Sequence, residues 1–597
     1  MFTAKKKVRV GHRDHRAVLK RAFALFLFAT VIGLQAATQY MAAVLDYAPQ
    51  LGLRVGEVFP PWGVLLWALK WHAPFAAWFE MAAEVGVGAW GVTIFVVVWL
   101  WPKRKVTDSL HGSARWARYR EVCQAGLLRA DRGDSVVVGG YRDAIGRRHY
   151  LRHNGIENVL CFGPPRSGKG AGLVVPTLLS FQGSAFVTDL RGELYQLTAG
   201  YRRSSLQRVL RFAPAETDSV AWNPLDEIRH GTVHETADVQ LVAHMLLEAE
   251  AVKTAGTNTD YFMKRARMWL TGLILYAIHE DDYRVSFARL DELLNSGERA
   301  QLWEKMSESR HAIVRRTGRD ALQTPDKEAA STINSLLVCL ELYRDPVVAK
   351  NTARCDFRVR DLMHKAKPHT LYLITQPADK DRLLPLIRML ISMTVRILAA
   401  EVAFQDGQPV DHYRHRLLLL LDEFPALGKL DILTESLAFL GGYGITAYLI
   451  CQDTVQFKGT YGTDEGKISA ACHIHVAFPP NRVETAREIV ARLGKTTVEY
   501  KSPSQSYGHG QGQRQQSTRT THWAGRDLLT VDEVLSLPGP RKVGKKIVRR
   551  GHMLIFVAGK APIYGEQPLY FFDRKLSARA AIPAAERPHL RLVTSAS

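Results

Sequence analysis

The chain has 597 residues, 47% of them hydrophobic and 23% charged, with a formal net charge of +21. That length leaves room for several domains, and that apolar fraction excludes a mainly disordered protein. The excess of Lys and Arg points to polyanionic partners, nucleic acid or an anionic membrane surface, without choosing between them.

In chain order, a basic N-terminus (1–21) comes first, with Lys5, Lys6, Lys7, Arg9, Arg13, Arg16, Lys20 and Arg21. An uncharged run, 22–45, follows, matching the ~20 residues a helix needs to cross the hydrocarbon core. A second apolar run, 83–101, is predicted to span as well, and Lys103, Arg104 and Lys105 come next. The segment between them, 46–82, is poor in cations and carries Trp62, Trp67, Trp71 and Trp78. Basic flanks on the outer ends of both runs predict a multi-pass inner-membrane protein with both termini cytoplasmic and a short periplasmic connector. A cytoplasmic connector, 102–149, then leads into the soluble body.

That body opens with Asn158-Val-Leu-Cys-Phe162, then Gly163, Pro164, Pro165, Arg166, Ser167, Gly168, Lys169 and Gly170, then an apolar stretch. Strand, glycine loop and helix in this order make a P-loop: loop N–H groups and the helix N-terminus face phosphates, and Lys169 reaches the β and γ oxygens. Gly170 departs from the pattern, because most P-loops carry Ser or Thr there to ligate magnesium. A metal must then be held elsewhere, and Asp422-Glu423, ending the run Leu417 to Leu421, are the candidates. Such an aliphatic run reads as a central parallel strand with its carboxyl end at the ligand crevice. Asp422 is the predicted metal residue and Glu423 the group that polarises the attacking water. Tyr448-Leu-Ile-Cys-Gln452 is a third short strand, and Gln452 is placed to sense a γ-phosphate, its amide both donating and accepting. The implied cofactors are ATP and Mg2+. Asp189 and Glu193 form a weaker acidic pair.

With these elements in place, the chain resembles the type IV secretion coupling proteins, the TraG-type ATPases of conjugative transfer. The resemblance is carried by His111-Gly-Ser-Ala-Arg-Trp116, the loop 163–170 with glycine after its lysine, and Thr188-Asp-Leu-Arg-Gly-Glu193. It continues through Trp222-Asn-Pro-Leu225, Leu421-Asp-Glu-Phe-Pro-Ala-Leu-Gly428, Gly441-Gly-Tyr-Gly444, Pro480 to Ala486 and Leu529 to Val534. It implies an α/β, RecA-like nucleotide-binding domain with an inserted all-α domain, assembled as a homo-hexamer. It also implies DNA, single-stranded and bound without sequence preference, a relaxase or other secreted protein, and the secretion channel as partners. The implied activity is ATP-driven transfer; the alternative is an ATP-gated receptor that does little mechanical work.

Helical spacing of apolar residues from about Glu235 to Leu342 agrees independently with an all-α substrate domain at 236–349. The nucleotide-binding domain is then 150–235 plus 350–575, followed by a tail, 576–597. The polar, basic stretch from Lys501 to Thr521 reads as a mobile loop rather than a packed element. The six cysteines form no C-x-x-C pair and read as reduced thiols. His473 and His475 share one face of a strand without a third ligand, which reads as a partly polar face and not a metal site. Arg166, Arg191, Arg388 and Arg482 are each conceivable as an arginine acting on a neighbouring copy, and spacing does not rank them.

Overall fold

The computed structural model describes residues 15–99, 110–128, 133–251, 257–281, 283–297, 299–400, 403–405, 408–410, 413–506, 516–544 and 546–584. Lys5 to Arg13, Lys103 to Lys105, the stretch 507–515 and the chain from 585 onward lie outside the described residues. The chain divides into two units: Met1–Arg115, Arg142–Arg147 and Gly494–Leu529 form one, and Trp116–Tyr141, Arg148–Leu493 and Thr530–Ser597 the other.

In the first unit, helices His15–Val44 and Ala76–Trp99 contain segments, Phe23–Val44 and Ala76–Val96, long and apolar enough to cross a membrane. The second helix starts at Ala76, ahead of the 83 expected, because Glu80 and Glu84 are carried within its first turns. The two helices cross at a glycine pair: a Cβ on Gly33 would lie 2.8 Å from the Gly86 carbonyl oxygen. Small residues allow such backbone contact between apolar helices. The connector folds back on the pair: Trp67 and Phe59 are buried, the Trp67 indole N–H donates to the Leu51 carbonyl at 2.9 Å, and Thr38 donates to the Pro61 carbonyl.

The same unit corrects the expectation of a loop at 501–521. Strands Lys495–Ser506 and Gln516–Asp527 pair antiparallel over twelve registered positions, from Lys495↔Asp527 to Ser506↔Gln516. The composition is polar because no core covers these strands along their length; the ladder is made by backbone groups, which composition does not report. His111-Gly-Ser-Ala114 docks on its base. The His111 N–H donates to Thr497 Oγ1, and the Ala114 N–H donates to the Lys495 carbonyl, both at 2.9 Å.

The second unit is built on an eleven-stranded sheet. Seven strands are parallel, in the order Cys472–Ala477, Asn158–Phe162, Ile445–Cys451, Leu417–Leu421, Ser184–Asp189, His369–Ile374, Arg208–Phe212. Beyond Cys472–Ala477 the sheet continues with His552–Val557, Ile563–Glu566, Val136–Arg142 and Arg148–His153, the first three joined antiparallel. The sheet thus takes in Val136–Arg142, ahead of residue 150. Leu417–Leu421 is buried throughout, with Leu417, Leu419 and Leu421 in the apolar cluster on one face and Leu418 and Leu420 in that on the other. A central strand alternating between two covered faces needs hydrophobic residues at every position.

Between Arg208–Phe212 and His369–Ile374 the chain is helical, with no strand among the described residues. Six helices run from Glu235–Ala251 to Asp326–Leu340. Ser286 caps Phe287–Asn295 by accepting from the Arg289 N–H, and Trp269 is buried, donating to Asp320 at 2.7 Å. Their apolar residues join one face of the sheet in a continuous cluster. At the chain end, helix Arg574–Ala580 buries Leu576, and a Cβ on Gly200 would lie 2.2 Å from the Ile582 carbonyl oxygen. The start of the segment read as a tail therefore belongs to the fold. Its contacts are largely backbone, and they leave no apolar periodicity in the sequence.

Candidate functional site

The loop 163–170 follows strand Asn158–Phe162, and the helix after it opens with a wide turn over Gly170–Val174 before continuing as Val175–Leu178. The Gly163 N–H donates to the Cys451 carbonyl at 2.9 Å, tying the loop to the neighbouring strand. Pro164 accepts from the Ser167 N–H at 3.2 Å, while Pro165 and Arg166 are exposed. Arg166 (φ +62°) and Gly168 (φ +98°) are both left-handed. For a non-glycine residue that conformation is a strained one, and such strain gathers at ligand sites.

Parallel pairing brings the predicted residues together. Ile445–Cys451 lies between the loop strand and Leu417–Leu421, so Gln452, Asp422-Glu423 and Lys169 meet at the same carboxyl edge of the sheet. Lys169 Nζ is 3.5 Å from Glu423 Oε1, and Gln452 donates to the same oxygen at 3.0 Å. Glu423 is itself left-handed, φ +55°. Lys169 Nζ, Ser167 Oγ and Asp422 Oδ1 are buried with no hydrogen-bond partner. Buried polar atoms are normally paired, so three orphans facing one crevice mark a place where a polar ligand belongs. Burial pushes the Asp422 carboxyl up to about 6; the Lys169 ammonium opposes this shift, and the charges of Glu423 and Asp189 add to it.

Two supports were not legible as such. The Thr188 hydroxyl accepts from the Asp422 N–H at 2.8 Å and fixes the acid strand against its neighbour. Asp189, raised by burial, accepts from the Tyr195 N–H at 2.8 Å, so it organises the turn into helix Glu193–Ser204. Glu193 opens that helix and has no part in an acidic pair with Asp189 among the bonds described. Two of the four arginines are engaged within the chain: Arg388 donates to the Lys429 carbonyl, and Arg482 Nε lies 3.2 Å from Asp453 Oδ2. His475 is buried with its pKa lowered to about 4, its Nε2 within 3.1 Å of the Ser469 and Cys472 carbonyls. Among the described residues no group of three metal-ligating side chains occurs.

Residues 112–590 match the family model for type IV secretory system conjugative DNA transfer. The chain belongs to that family. It is 44% identical to a conjugal transfer protein TraG of Escherichia coli, over 94% of this chain and 93% of that protein. It is 28% identical to the protein VirD4 of Rhizobium radiobacter, over 84% of this chain and 71% of the other. In fold it is similar to the plasmid coupling protein TrwB solved with the non-hydrolysable ATP analogue ADPNP. The TM-score is 0.53 at 15% identity, covering 76% of this chain and 93% of that one. The fold class is α/β and RecA-like, with a large, mainly parallel sheet, preceded by two apolar N-terminal helices.

Proposed function

We propose that this chain is the inner-membrane coupling ATPase of a conjugative type IV secretion system. It recruits DNA with a bound relaxase or other secreted protein and drives its transfer by hydrolysing ATP. The observation that carries this reading is the convergence of Lys169, Asp422, Glu423 and Gln452 on one crevice edge, with the Lys169 ammonium and one Asp422 oxygen buried and unpartnered. TrwB, of the same fold, has been solved with ADPNP and with ADP and Mg2+, which supports a nucleotide and a metal here.

In this reading the loop 163–170 cradles the phosphates and Lys169 neutralises the β and γ oxygens. Mg2+ supplies charge neutralisation on those oxygens when bound. The orphaned Oδ1 of Asp422 fits it, and position 170 supplies no ligand, so water and phosphate complete its shell. Glu423 orients or deprotonates the attacking water, while Gln452 holds that carboxylate and reads the γ-phosphate. Six copies form a ring, the two spans anchor each copy with both termini cytoplasmic, and the helical segment 236–349 engages substrate.

Glu423→Gln tests the proposal, because it removes the carboxylate and keeps the shape. ATP binding is expected to persist while phosphate release falls by about the 10²–10⁴-fold of a lost general base. Substrate delivery should fail with it. Normal delivery by a variant that binds ATP and no longer hydrolyses it would leave a nucleotide-gated receptor in place of a motor.

A further inference from the structure

The antiparallel edge of the sheet carries a cavity of about 120 Å³ whose lining includes Tyr141, Arg148, His149, Tyr150, Arg550 and Pro568. A single backbone strand, Gln567 to Leu569, separates it from the loop and its helix. A Cβ on Gly168 would lie 2.7 Å from Gln567 Oε1, and a Cβ on Gly172 would lie 3.6 Å from Leu569 and 3.9 Å from Pro568. On the opposite side, a Cβ on Gly140, which also lines the cavity, would meet Pro568 at 3.5 Å. Pro568 therefore has the phosphate-loop helix against one side and the cavity against the other. Gln567 is fully buried with its Oε1 unpartnered, so this dividing strand is fixed against the loop and not against solvent.

We propose that this cavity receives the base of the nucleotide whose phosphates lie on the loop 163–170, an inference that rests on the nucleotide reading above. The volume is well below the roughly 300–1,000 Å³ of a pocket for a whole drug-sized ligand. It suits one planar ring system attached to a phosphate chain held elsewhere. The two carboxylates of the wall are engaged: Arg148 Nε is 2.9 Å from Glu566 Oε2, and the Tyr150 hydroxyl donates to Asp573 Oδ2 at 3.0 Å. The Arg550 guanidinium lies 5.2 Å over the Phe572 ring, and burial lowers its pKa. Aromatic faces and a guanidinium plane stack on any base and read no base edge. The site accordingly takes adenine and guanine nucleotides with little discrimination.

The test compares ADP, GDP and pyrophosphate by titration calorimetry on the full-length, detergent-solubilised protein; none of the three calls on hydrolysis. Arg550→Ala is expected to weaken ADP and GDP by about tenfold, in line with the loss of one stacking partner, and to leave pyrophosphate unchanged. Tyr150→Phe keeps the ring and should bind all three as the parent does. Photolabelling with 8-azido-ADP should mark peptides containing residues 148–150 or 568–572. Undiminished ADP binding by Arg550→Ala overturns the assignment, as do equal losses of ADP and pyrophosphate or a label confined to other peptides. Tyr150→Phe falling as far as Arg550→Ala would overturn the stacking mode. A parent protein that binds neither ADP nor pyrophosphate would bring down the phosphate loop itself, an outcome distinct from all of these.

Discussion

Lys169 and Arg202 lie at opposite ends of the helix that follows the loop, both largely withdrawn from solvent. Arg202 is fully buried and fully used: it donates to Thr370 Oγ1 at 2.6 Å, to the Leu178 and Phe181 carbonyls at 2.9 Å and to the Gly183 carbonyl at 2.8 Å. The carbonyls that end the helix thereby gain a cation, where the helix dipole favours one. Lys169, at the N-terminal end, has only the Glu423 carboxylate at 3.5 Å and no hydrogen bond. The same electrostatic element is therefore closed by the protein at one end and left open at the other. A satisfied buried cation is architecture, whereas an unsatisfied one beside a second orphaned polar atom is a vacancy for a ligand.

Breaking the closed end should cost the most. Arg202→Met leaves several buried acceptors without donors, each worth about 1–3 kcal/mol, so a loss of about 3 kcal/mol or more is expected in chemical denaturation. An unchanged denaturation midpoint would show that water replaces the guanidinium. At the open end the effect moves from stability to binding. Lys169→Ala should weaken ATP by about 10–100-fold, as for one charge-assisted hydrogen bond of about 1.5–3 kcal/mol. Its melting temperature should stay at or above that of the parent, because a buried ammonium without a hydrogen bond is removed. A variant that melts much earlier would make Lys169 a structural residue like Arg202.

A smaller effect sharpens the comparison through pH. The Asp422 pKa is raised to about 6, so the native chain binds this proton more tightly than the unfolded chain does. In the nucleotide-free protein its contribution to stability is greatest at low pH and is lost as pH rises from about 4 to about 6. Metal binding requires the ionised form. The gain in ATP affinity on adding Mg2+ is therefore expected to shrink as pH falls through 6, while metal-free affinity changes little. Magnesium linkage that is flat between pH 5 and 7 would remove Asp422 from the metal site.

The crevice was legible because each of its pieces is local. A five-residue apolar strand, a glycine loop and a helix make one short signal at 158–178, and five leucines followed by Asp422-Glu423 make another. That Gln452 meets Glu423 follows once the three strands are parallel neighbours. The hairpin at 495–527 was misread because Ser, Thr and Gln were weighed by polarity, while its ladder is formed by backbone groups. Gln567 and Arg202 gave no signal at all. Each acts on groups far away in the chain, and nothing near Gln567 in the sequence points to Gly168.

The strand that carries the loop has a consequence for how the chain matures. Asn158–Phe162 pairs only with Ile445–Cys451 and Cys472–Ala477, each separated from it by nearly half the polypeptide. During synthesis the two apolar N-terminal helices and the whole helical segment emerge before either neighbour exists. Pairing at such sequence separation is slow, because a long loop must close before any contact is gained. Until then the leucine-rich and valine-rich strands are exposed edges, open to association with other chains. A ribosome-bound chain ending before Ile445 should hold folded helices and no nucleotide, so that assembly of the phosphate site marks the completion of the whole body.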